Sequence, residues 1–361
     1  MLSLVQGVAD REIATRWPAL QAQRDMKRYL HFLWPTAGVA AVFVSFWLLY
    51  GELRGLSADQ ILASLRSISV RRYALAGCAS LGAYAALAWY DRIALLHIGR
   101  KLSWTFISLT SFTSYALSHN IGMSILSGAM VRYRAYRTKG LAVSEIAVVV
   151  GFCSFTFVLG TLLLSGIVLA CEPSIVLRFF SLPLWIARCA GLLLLALLGA
   201  YAAGSLLHLK PLKLGEFELV YPRPRVMVRQ LAAGPLELLG AAGIIYFALP
   251  QAVNPGFLVV LGVFLASFST ALLSYAPGGL GVLELVVLKG MPDVPAADVL
   301  AALVVFRLFY LVVPLLFGLA VVLGFEHGRL LPGAHRQDCA APNEEEAKTR
   351  LALAQSKAAQ E

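Results

Sequence analysis

Two apolar segments of this chain become polar and glycine-rich where a bilayer-spanning helix should continue. They are residues 111–122 and 267–278. At one fixed offset they share the pairs Ser111/Ser267, Phe112/Phe268, Leu117/Leu273, Ser118/Ser274 and Gly122/Gly278. A backbone broken inside a membrane is tolerated only where it is buried in protein or lines a cavity. The two segments therefore predict a membrane protein in which two broken helices meet around one cavity.

The composition supports a membrane protein of the helical type. Of 361 residues, 59% are hydrophobic and 14% are charged, whereas a soluble domain has about 25% charged residues. Several apolar runs reach the roughly 20 residues that cross a bilayer, and they do not alternate as barrel strands do. The predicted fold class is all-α: a polytopic helical membrane protein with about six crossings and two re-entrant hairpins. The predicted crossings are residues 32–50, 73–90, 142–170, 182–207, 230–249 and 298–325, and the hairpins are 104–131 and 256–290.

Loop charges decide how the two broken segments are placed. If both turn back, the basic loops 91–103, 132–140 and 208–229 lie on the same side as the N-terminus, as the positive-inside rule requires. This arrangement predicts an inverted repeat, with repeat 1 at about 32–170 and repeat 2 at about 182–325. If both segments cross fully, two of these basic loops lie outside. That alternative stays open because residues 256–275 alone are long enough to span.

The ends of the chain differ in composition from the membrane domain at 32–325. Residues 1–31 mix basic and acidic side chains without a cleavable signal, which predicts a cytoplasmic amphipathic leader. Residues 326–361 predict a polar cytoplasmic tail. We expect a multi-pass protein of the cell inner membrane with both termini in the cytoplasm. The net charge of +10 lies mostly in short loops, where it contacts anionic lipid head groups, so nucleic acid is not an expected partner.

The second broken segment carries the sharpest motif. Pro277 lacks an N–H group, and Gly278, Gly279 and Gly281 permit positive φ, so the helix must break here. A break leaves the N–H groups of the following helix unpaired, which suits an anionic group such as a lipid phosphate. The alternative is a tight hairpin whose glycines serve close packing, with no ligand.

Two charged residues follow this motif inside apolar sequence. An intramembrane carboxylate such as Glu284 is a functional candidate by default, and Arg307 is its predicted partner because an isolated arginine there costs several kcal/mol. The alternative is an ion pair with a purely structural role. Pro314 and Gly318 would let the last helix bend.

The first broken segment offers Asn120 and Gly122, followed by Arg132 and Arg134 with tyrosines between them. A basic stripe with interleaved tyrosines at a membrane surface suits phosphate head groups, although charge that only sets topology gives the same pattern. Glu237 is a further buried-looking acid, and the repeat symmetry suggests that it pairs with Arg132.

Motifs for covalent catalysis are missing from the sequence. It has no Gly-x-Ser-x-Gly motif, no P-loop and no paired His or Cys ligands. We therefore expect no enzyme, no cofactor and no metal site.

Four of these motifs resemble the lysylphosphatidylglycerol synthase transmembrane-region family over about residues 30–325. They are Asn120 with Gly122; Arg132, Arg134 and Tyr136; the turn of Pro277, Gly278, Gly279, Gly281 and Glu284; and the helix of Arg307, Tyr310, Pro314 and Gly318. The family includes the flippase half of the bacterial multiple peptide resistance factor. The resemblance implies that the protein translocates lipids. It also implies that these residues, with the exception of Tyr136, Pro314 and Gly318, form the lipid-binding site.

The resemblance also limits what is carried over. Two-part members of the family have a soluble aminoacyl-transferase domain, and a chain that ends at residue 361 has no room for one, so we do not expect synthase activity. We expect a flippase-like translocase of an anionic or modified lipid, with membrane lipids and a lipid-modifying enzyme as its partners. The alternative is a non-transporting scaffold or accessory subunit for a lipid-modifying or glycolipid/hopanoid pathway enzyme.

Overall fold

The computed structural model describes residues 57–121, 124–207, 212–214, 217–219, 222–274 and 276–330, and Trp47. Nearly all of them are helical. The helices are α1 (Ala58–Ser67), α2 (Val70–His97), α3 (Trp104–Ile121), α4 (Ser124–Arg137), α5 (Val143–Cys171), α6 (Leu184–Leu206), α7 (Pro224–Ala248), α8 (Phe257–Leu273), α9 (Val282–Gly290), α10 (Ala296–Arg307) and α11 (Val313–Leu330). Two short antiparallel strands, Leu212–Leu214 and Phe217–Leu219, form a small hairpin between α6 and α7. The chain is thus an all-α polytopic membrane protein.

Four stretches of the described chain are long and apolar enough to cross a bilayer: Val143–Cys171, Leu184–Leu206, Pro224–Ala248 and Ala296–Gly324. They match four of the predicted crossings within a few residues. The predicted crossing at 73–90 lies inside α2, which has 28 residues and so spans about 42 Å, but is rich in alanine and tyrosine. The remaining crossing, at 32–50, falls outside the described residues apart from Trp47, as do residues 1–31 and 331–361 of the predicted leader and tail.

Both broken segments are helical hairpins. Helices α3 and α4 are joined by two residues and pack against each other. Helices α8 and α9 also pack together, joined by a turn that contains a 3₁₀ segment, Pro277–Gly279. Three glycines of this turn have positive φ, namely Gly278 (59°), Gly279 (63°) and Gly281 (78°). A left-handed backbone without strain requires glycine at such positions, so the motif breaks the helix as expected. How deep either hairpin reaches into a membrane, and the inverted repeat, stay predictions.

Helix α7 packs closely against α5 and α2 because glycines lie at the crossings. A Cβ atom on Gly160 would lie 2.4 Å from the backbone of Gly234, so α5 and α7 touch backbone to backbone. A Cβ atom on Gly240 would lie 2.7 Å from the carbonyl oxygen of Ala79 on α2. Small residues at helix crossings are typical of membrane proteins, where packing rather than hydrophobicity brings helices together.

The last membrane helix contains a π turn, Leu308–Val312, between α10 and α11. Pro314 cannot donate to the carbonyl group of Tyr310 four residues earlier, which frees that oxygen. Side chains of other helices bond to the carbonyl groups of this turn. Ser80 Oγ donates to Phe309 O (2.7 Å), Tyr84 Oη to Tyr310 O (2.9 Å) and Asn120 Nδ2 to Leu311 O (3.3 Å). The π turn therefore ties α2 and α3 to the last helix, and the bend at Pro314 and Gly318 stays a prediction.

Candidate functional site

The tips of the two hairpins meet. A Cβ atom on Gly278, in the second hairpin, would lie 3.7 Å from the carbonyl oxygen of His119 and 3.9 Å from that of Asn120, both in the first hairpin. The same position is 3.9 Å from Nη1 of Arg307. We call the set His119, Asn120, Gly278, Glu284 and Arg307 the hairpin junction. The two broken segments are in contact, as expected, whereas a cavity between them near the bilayer midplane stays a prediction.

Glu284 and Arg307 form the predicted ion pair at this junction. Arg307 Nε donates to Glu284 Oε1 at 2.5 Å, and Nη2 also contacts that oxygen. Arg307 Nη1 donates to the carbonyl oxygen of Gly278 at 3.3 Å. The pair joins the second hairpin to α10, and it is mostly but not completely buried, with side-chain exposures of 21% for Arg307 and 13% for Glu284.

The carboxylate of Glu284 has a second partner, in the turn that precedes its own helix. Its Oε2 atom accepts the N–H of Gly281 at 2.8 Å, so Glu284 caps the start of its own helix. Likewise the N–H of Gly279 donates to the carbonyl oxygen of Ala276 at 2.9 Å. These two N–H groups are thus bonded within the turn. The predicted anion site uses the N–H groups of the following helix, which begins at Val282, and it stays a prediction.

A second buried ion pair lies beside the first hairpin. Asp91, with no exposed surface, accepts hydrogen bonds from Arg132 Nη2 (2.7 Å) and Nε (3.0 Å). Tyr136 Oη (2.6 Å) and Cys153 Sγ (3.3 Å) donate to the same carboxylate. We call these four residues the Asp91 cluster. Hydrogen bonds between charged groups are short and strong, so the Asp91 carboxylate fixes the positions of these donors.

Two expectations about Arg132 are wrong. It is not part of a surface stripe, because only 4% of it is exposed and its guanidinium lies 4.5 Å from the ring centre of Tyr115. Nor does it pair with Glu237, because its carboxylate partner is Asp91. Sequence reasoning missed Asp91 because it placed residue 91 in a loop, whereas α2 continues to His97. An acid and an arginine that flank two predicted apolar segments were the signal available.

The other predicted site residues lie around these two pairs. Asn120 bonds to the π turn, as described above. Tyr310, fully buried in that turn, donates to Oε1 of Glu237 at 2.5 Å. Arg134 is exposed on α4, and Gly122 lies outside the described residues.

Aromatic side chains connect the two ion pairs. Tyr115 lies under the Arg132 guanidinium, and its ring centre is 5.9 Å from that of His119. His119 stacks on Tyr310 at 5.0 Å, with 20° between the ring planes. Because the backbone of His119 also touches Gly278, a continuous series of contacts runs from the Asp91 cluster to the hairpin junction.

Sequence comparisons identify the family of this chain. Residues 36–318 match the family described as the lysylphosphatidylglycerol synthase TM region. An uncharacterised protein of Synechocystis is 32% identical over 78% of this chain and 88% of that protein. The inner membrane protein YbhN of Escherichia coli is 29% identical over 67% of this chain and 76% of that protein.

A third relative differs in extent. The phosphatidylglycerol lysyltransferase of Staphylococcus haemolyticus is 26% identical over 78% of this chain, but the match covers 32% of that enzyme. The aligned part is therefore a minority of the enzyme's length. Together, these matches show that this chain belongs to the lysylphosphatidylglycerol synthase transmembrane-region family.

Proposed function

We propose that this protein is a flippase-like translocase that moves an anionic or modified lipid between the leaflets of the bacterial inner membrane. One observation carries the proposal: two arginine–carboxylate pairs, one buried and one mostly buried, each join one of two hairpins to a neighbouring helix, and the tips of these hairpins meet. Charged groups inside a membrane domain are costly and mark substrate pathways in transporters, and broken helices that meet are the usual site of binding.

The geometry supports an exchange of partners at Arg307. A planar guanidinium can donate two parallel hydrogen bonds to the oxygens of a lipid phosphate, as it can to those of a carboxylate. When phosphate takes the place of Glu284 on Arg307, the freed carboxylate keeps its bond to the Gly281 N–H. Arg307 then holds the second hairpin only through its bond to the Gly278 carbonyl oxygen. The hairpin moves more easily, which couples binding to opening of the site.

The Asp91 cluster supports a second step of the same kind. Arg132 is more deeply buried than Arg307 and is held by the Asp91 carboxylate, so it receives a phosphate only after the first hairpin shifts. Movement of lipid from one arginine to the other makes and breaks no covalent bond. Ion pairs and hydrogen bonds are sufficient for it, and we infer that the protein is not an enzyme.

The relatives suggest the chemistry of the cargo. Relatives from three organisms are named phosphatidylglycerol lysyltransferase. This name includes phosphatidylglycerol, which is an anionic glycerophospholipid. We propose phosphatidylglycerol or a modified form of it as the first lipid to test, and a lipid-modifying enzyme as a partner. An orientation with both termini in the cytoplasm is part of the same proposal.

A leaflet-exchange assay tests this function. Purified protein is reconstituted into phosphatidylglycerol-containing liposomes with fluorescent phosphatidylglycerol, and a membrane-impermeant quencher reports transfer between leaflets. We expect wild-type protein to accelerate transfer over empty liposomes. We expect Arg307→Ala to slow it by about tenfold or more, because hydrogen bonds to charged groups contribute about 1.5–3 kcal/mol each.

The matched control is Arg178→Ala. Arg178 pairs with Asp293 at 2.9 Å, where the aspartate is 68% exposed, and donates to the carbonyl oxygen of Gly290 at 3.0 Å. We expect this variant to transfer lipid at close to the wild-type rate. Equal effects of the two substitutions would contradict the proposed role of Arg307, and no acceleration by folded wild-type protein would favour a scaffold.

A further inference from the structure

Glu237 differs from the other buried acids of the described chain because it has no cation. Asp91 is paired with Arg132, and Glu145 with Arg100. Glu237 is 1% exposed. Its Oε1 atom accepts from Tyr310 at 2.5 Å, and its Oε2 atom has no hydrogen-bond partner among the described residues.

A carboxylate in this position is poorly stabilised as an anion. Taking an ionised carboxylate out of water without a counter-ion costs several kcal/mol, and a buried acid of this kind binds a proton instead. The same site can hold the ionised form only when water or a cation reaches the second oxygen. Its charge state therefore depends on whether the surrounding helices are open or closed.

The groups that face Glu237 come from several helices. Helix α2 contributes Tyr84 and Tyr90, which lie within electrostatic range of the carboxylate. The π turn contributes Tyr310, and α3 contributes His119, which stacks on it and whose Nδ1 atom has no hydrogen-bond partner among the described residues.

The described residues that pack against this group from α5, α6, α8 and α10, named next, are uncharged. Phe268 of α8 contacts the ring of His119, and Phe306 of α10 stacks on Tyr310 at 5.1 Å. Helix α5 packs against α7 at Gly160, where an added Cβ atom would lie closest to the backbone of Gly234. On α6, the hydroxyl of Tyr201 donates to Gln230 of α7, about two turns before Glu237.

We propose that Glu237 is the proton-binding site that couples lipid transfer to a transmembrane proton gradient, an inference that rests on the proposed function. One proton from water binds a carboxylate oxygen in one open state and returns to water in the other, so atoms and charge balance. Tyr310 transmits the change. Its hydroxyl bonds to Glu237, its carbonyl to Tyr84 and its ring stacks on His119, while Arg307 lies one turn earlier on the same helix.

The coupling follows from a change in hydrogen-bond strength. An ionised Glu237 holds the Tyr310 hydroxyl more strongly than a protonated one, because hydrogen bonds to charged acceptors are about twice as strong. A shift of Tyr310 moves the π turn, and with it the carbonyl group of Leu311 to which Asn120 bonds. Protonation of one acid on α7 thereby biases the contact between the two hairpins.

The test uses full-length protein in liposomes that contain fluorescent phosphatidylglycerol, with a pH difference of about one unit imposed in either direction. We expect the wild-type transfer rate to rise in one direction and fall in the other, with a ratio of up to tenfold, because the protonated fraction of one site changes by at most that factor per pH unit. Glu237→Gln keeps the shape and removes the titration. We expect this variant to transfer lipid at a rate that does not respond to the gradient.

A control and a second readout separate this inference from the proposed function. Asp59→Asn changes an exposed acid of α1 and should leave the response unchanged. Infrared difference spectra between acidic and alkaline buffer should contain a protonated-carboxyl band that is absent in Glu237→Gln, whether or not lipid moves. Wild-type transfer that ignores the gradient, a gradient response that survives Glu237→Gln, or the lack of that band would each overturn the proton site. The band without any lipid transfer would overturn the proposed function and the coupling to transfer, and it would support proton binding by Glu237.

Discussion

The substitution Asp91→Asn tests how strongly the Asp91 cluster holds the first hairpin. Asp91 has no exposed surface and Arg132 is 4% exposed, so removal of the carboxylate charge leaves an uncompensated buried guanidinium. Breaking a buried pair from one side costs about 3–5 kcal/mol of unfolding free energy. Asparagine retains one acceptor oxygen for Arg132 or for Tyr136, so we expect a loss near the lower limit, about 3 kcal/mol.

Equilibrium unfolding of purified protein in mixed micelles measures this loss. The control is Asp293→Asn, which breaks the pair with Arg178 at a site where the aspartate is 68% exposed. Exposed pairs contribute about 0–1 kcal/mol. The double variant Asp91→Asn/Arg132→Gln carries neither charge, and we expect it to be more stable than Asp91→Asn alone, because the unpaired cation causes most of the cost.

Two results would refute this reasoning. If Asp91→Asn costs no more than Asp293→Asn, then the buried guanidinium of Arg132 does not depend on the carboxylate. If the double variant is as unstable as Asp91→Asn, then the loss comes from the hydrogen bonds of Tyr136 and Cys153 to Asp91 rather than from an unpaired charge.

Three further substitutions test the packing around the site. Gly160→Ala should destabilise the protein by more than 1 kcal/mol in the same unfolding assay, since its Cβ atom would lie 2.4 Å from the α7 backbone; Gly151→Ala, on the same helix in open space, should be neutral or slightly stabilising. Gly279→Ala should lower the free energy of unfolding by about 1–2 kcal/mol, because the φ of this residue is 63°. The loss should be larger still because the new Cβ atom would lie 2.9 Å from that of Ala271. Proteases should then cut the second hairpin faster. Arg100→Gln should lower the melting temperature more than Asp293→Asn does, because it leaves Glu145, 5% exposed, without the arginine that donates to it at 2.8 and 3.0 Å.

The sequence predicts those features of the fold that a local pattern determines. Long apolar runs locate the four helices that can cross a bilayer, and the motif from Pro277 to Gly281 locates the break in the second hairpin. Glu284 and Arg307 can be paired from sequence because few charges interrupt this part of the apolar sequence, and each needs a partner of opposite sign.

The partners of Arg132 and Tyr310 cannot be predicted from local sequence patterns. Arg132 takes its partner from α2, 41 positions earlier, and the boundary of that helix was placed too early. Tyr310 lies in a π turn and bonds to Glu237, 73 positions earlier. Neither helix length nor the direction of a side chain after an irregular turn follows from hydropathy.

The two ion pairs lie where the hairpins contact the rest of the protein, and each carries the free-energy cost of burying charged groups. Buried pairs contribute little net stability, and apolar residues of similar volume are often as stable or more so. The pairs Asp91–Arg132 and Glu284–Arg307 therefore stabilise a particular arrangement of helices more than they stabilise the folded state as a whole. Each pair anchors one hairpin to a helix outside it, namely α2 and α10. Since the aromatic contacts through His119 and Tyr310 join these anchors, a ligand that opens one pair alters the surroundings of the other, and the hairpins are expected to move together.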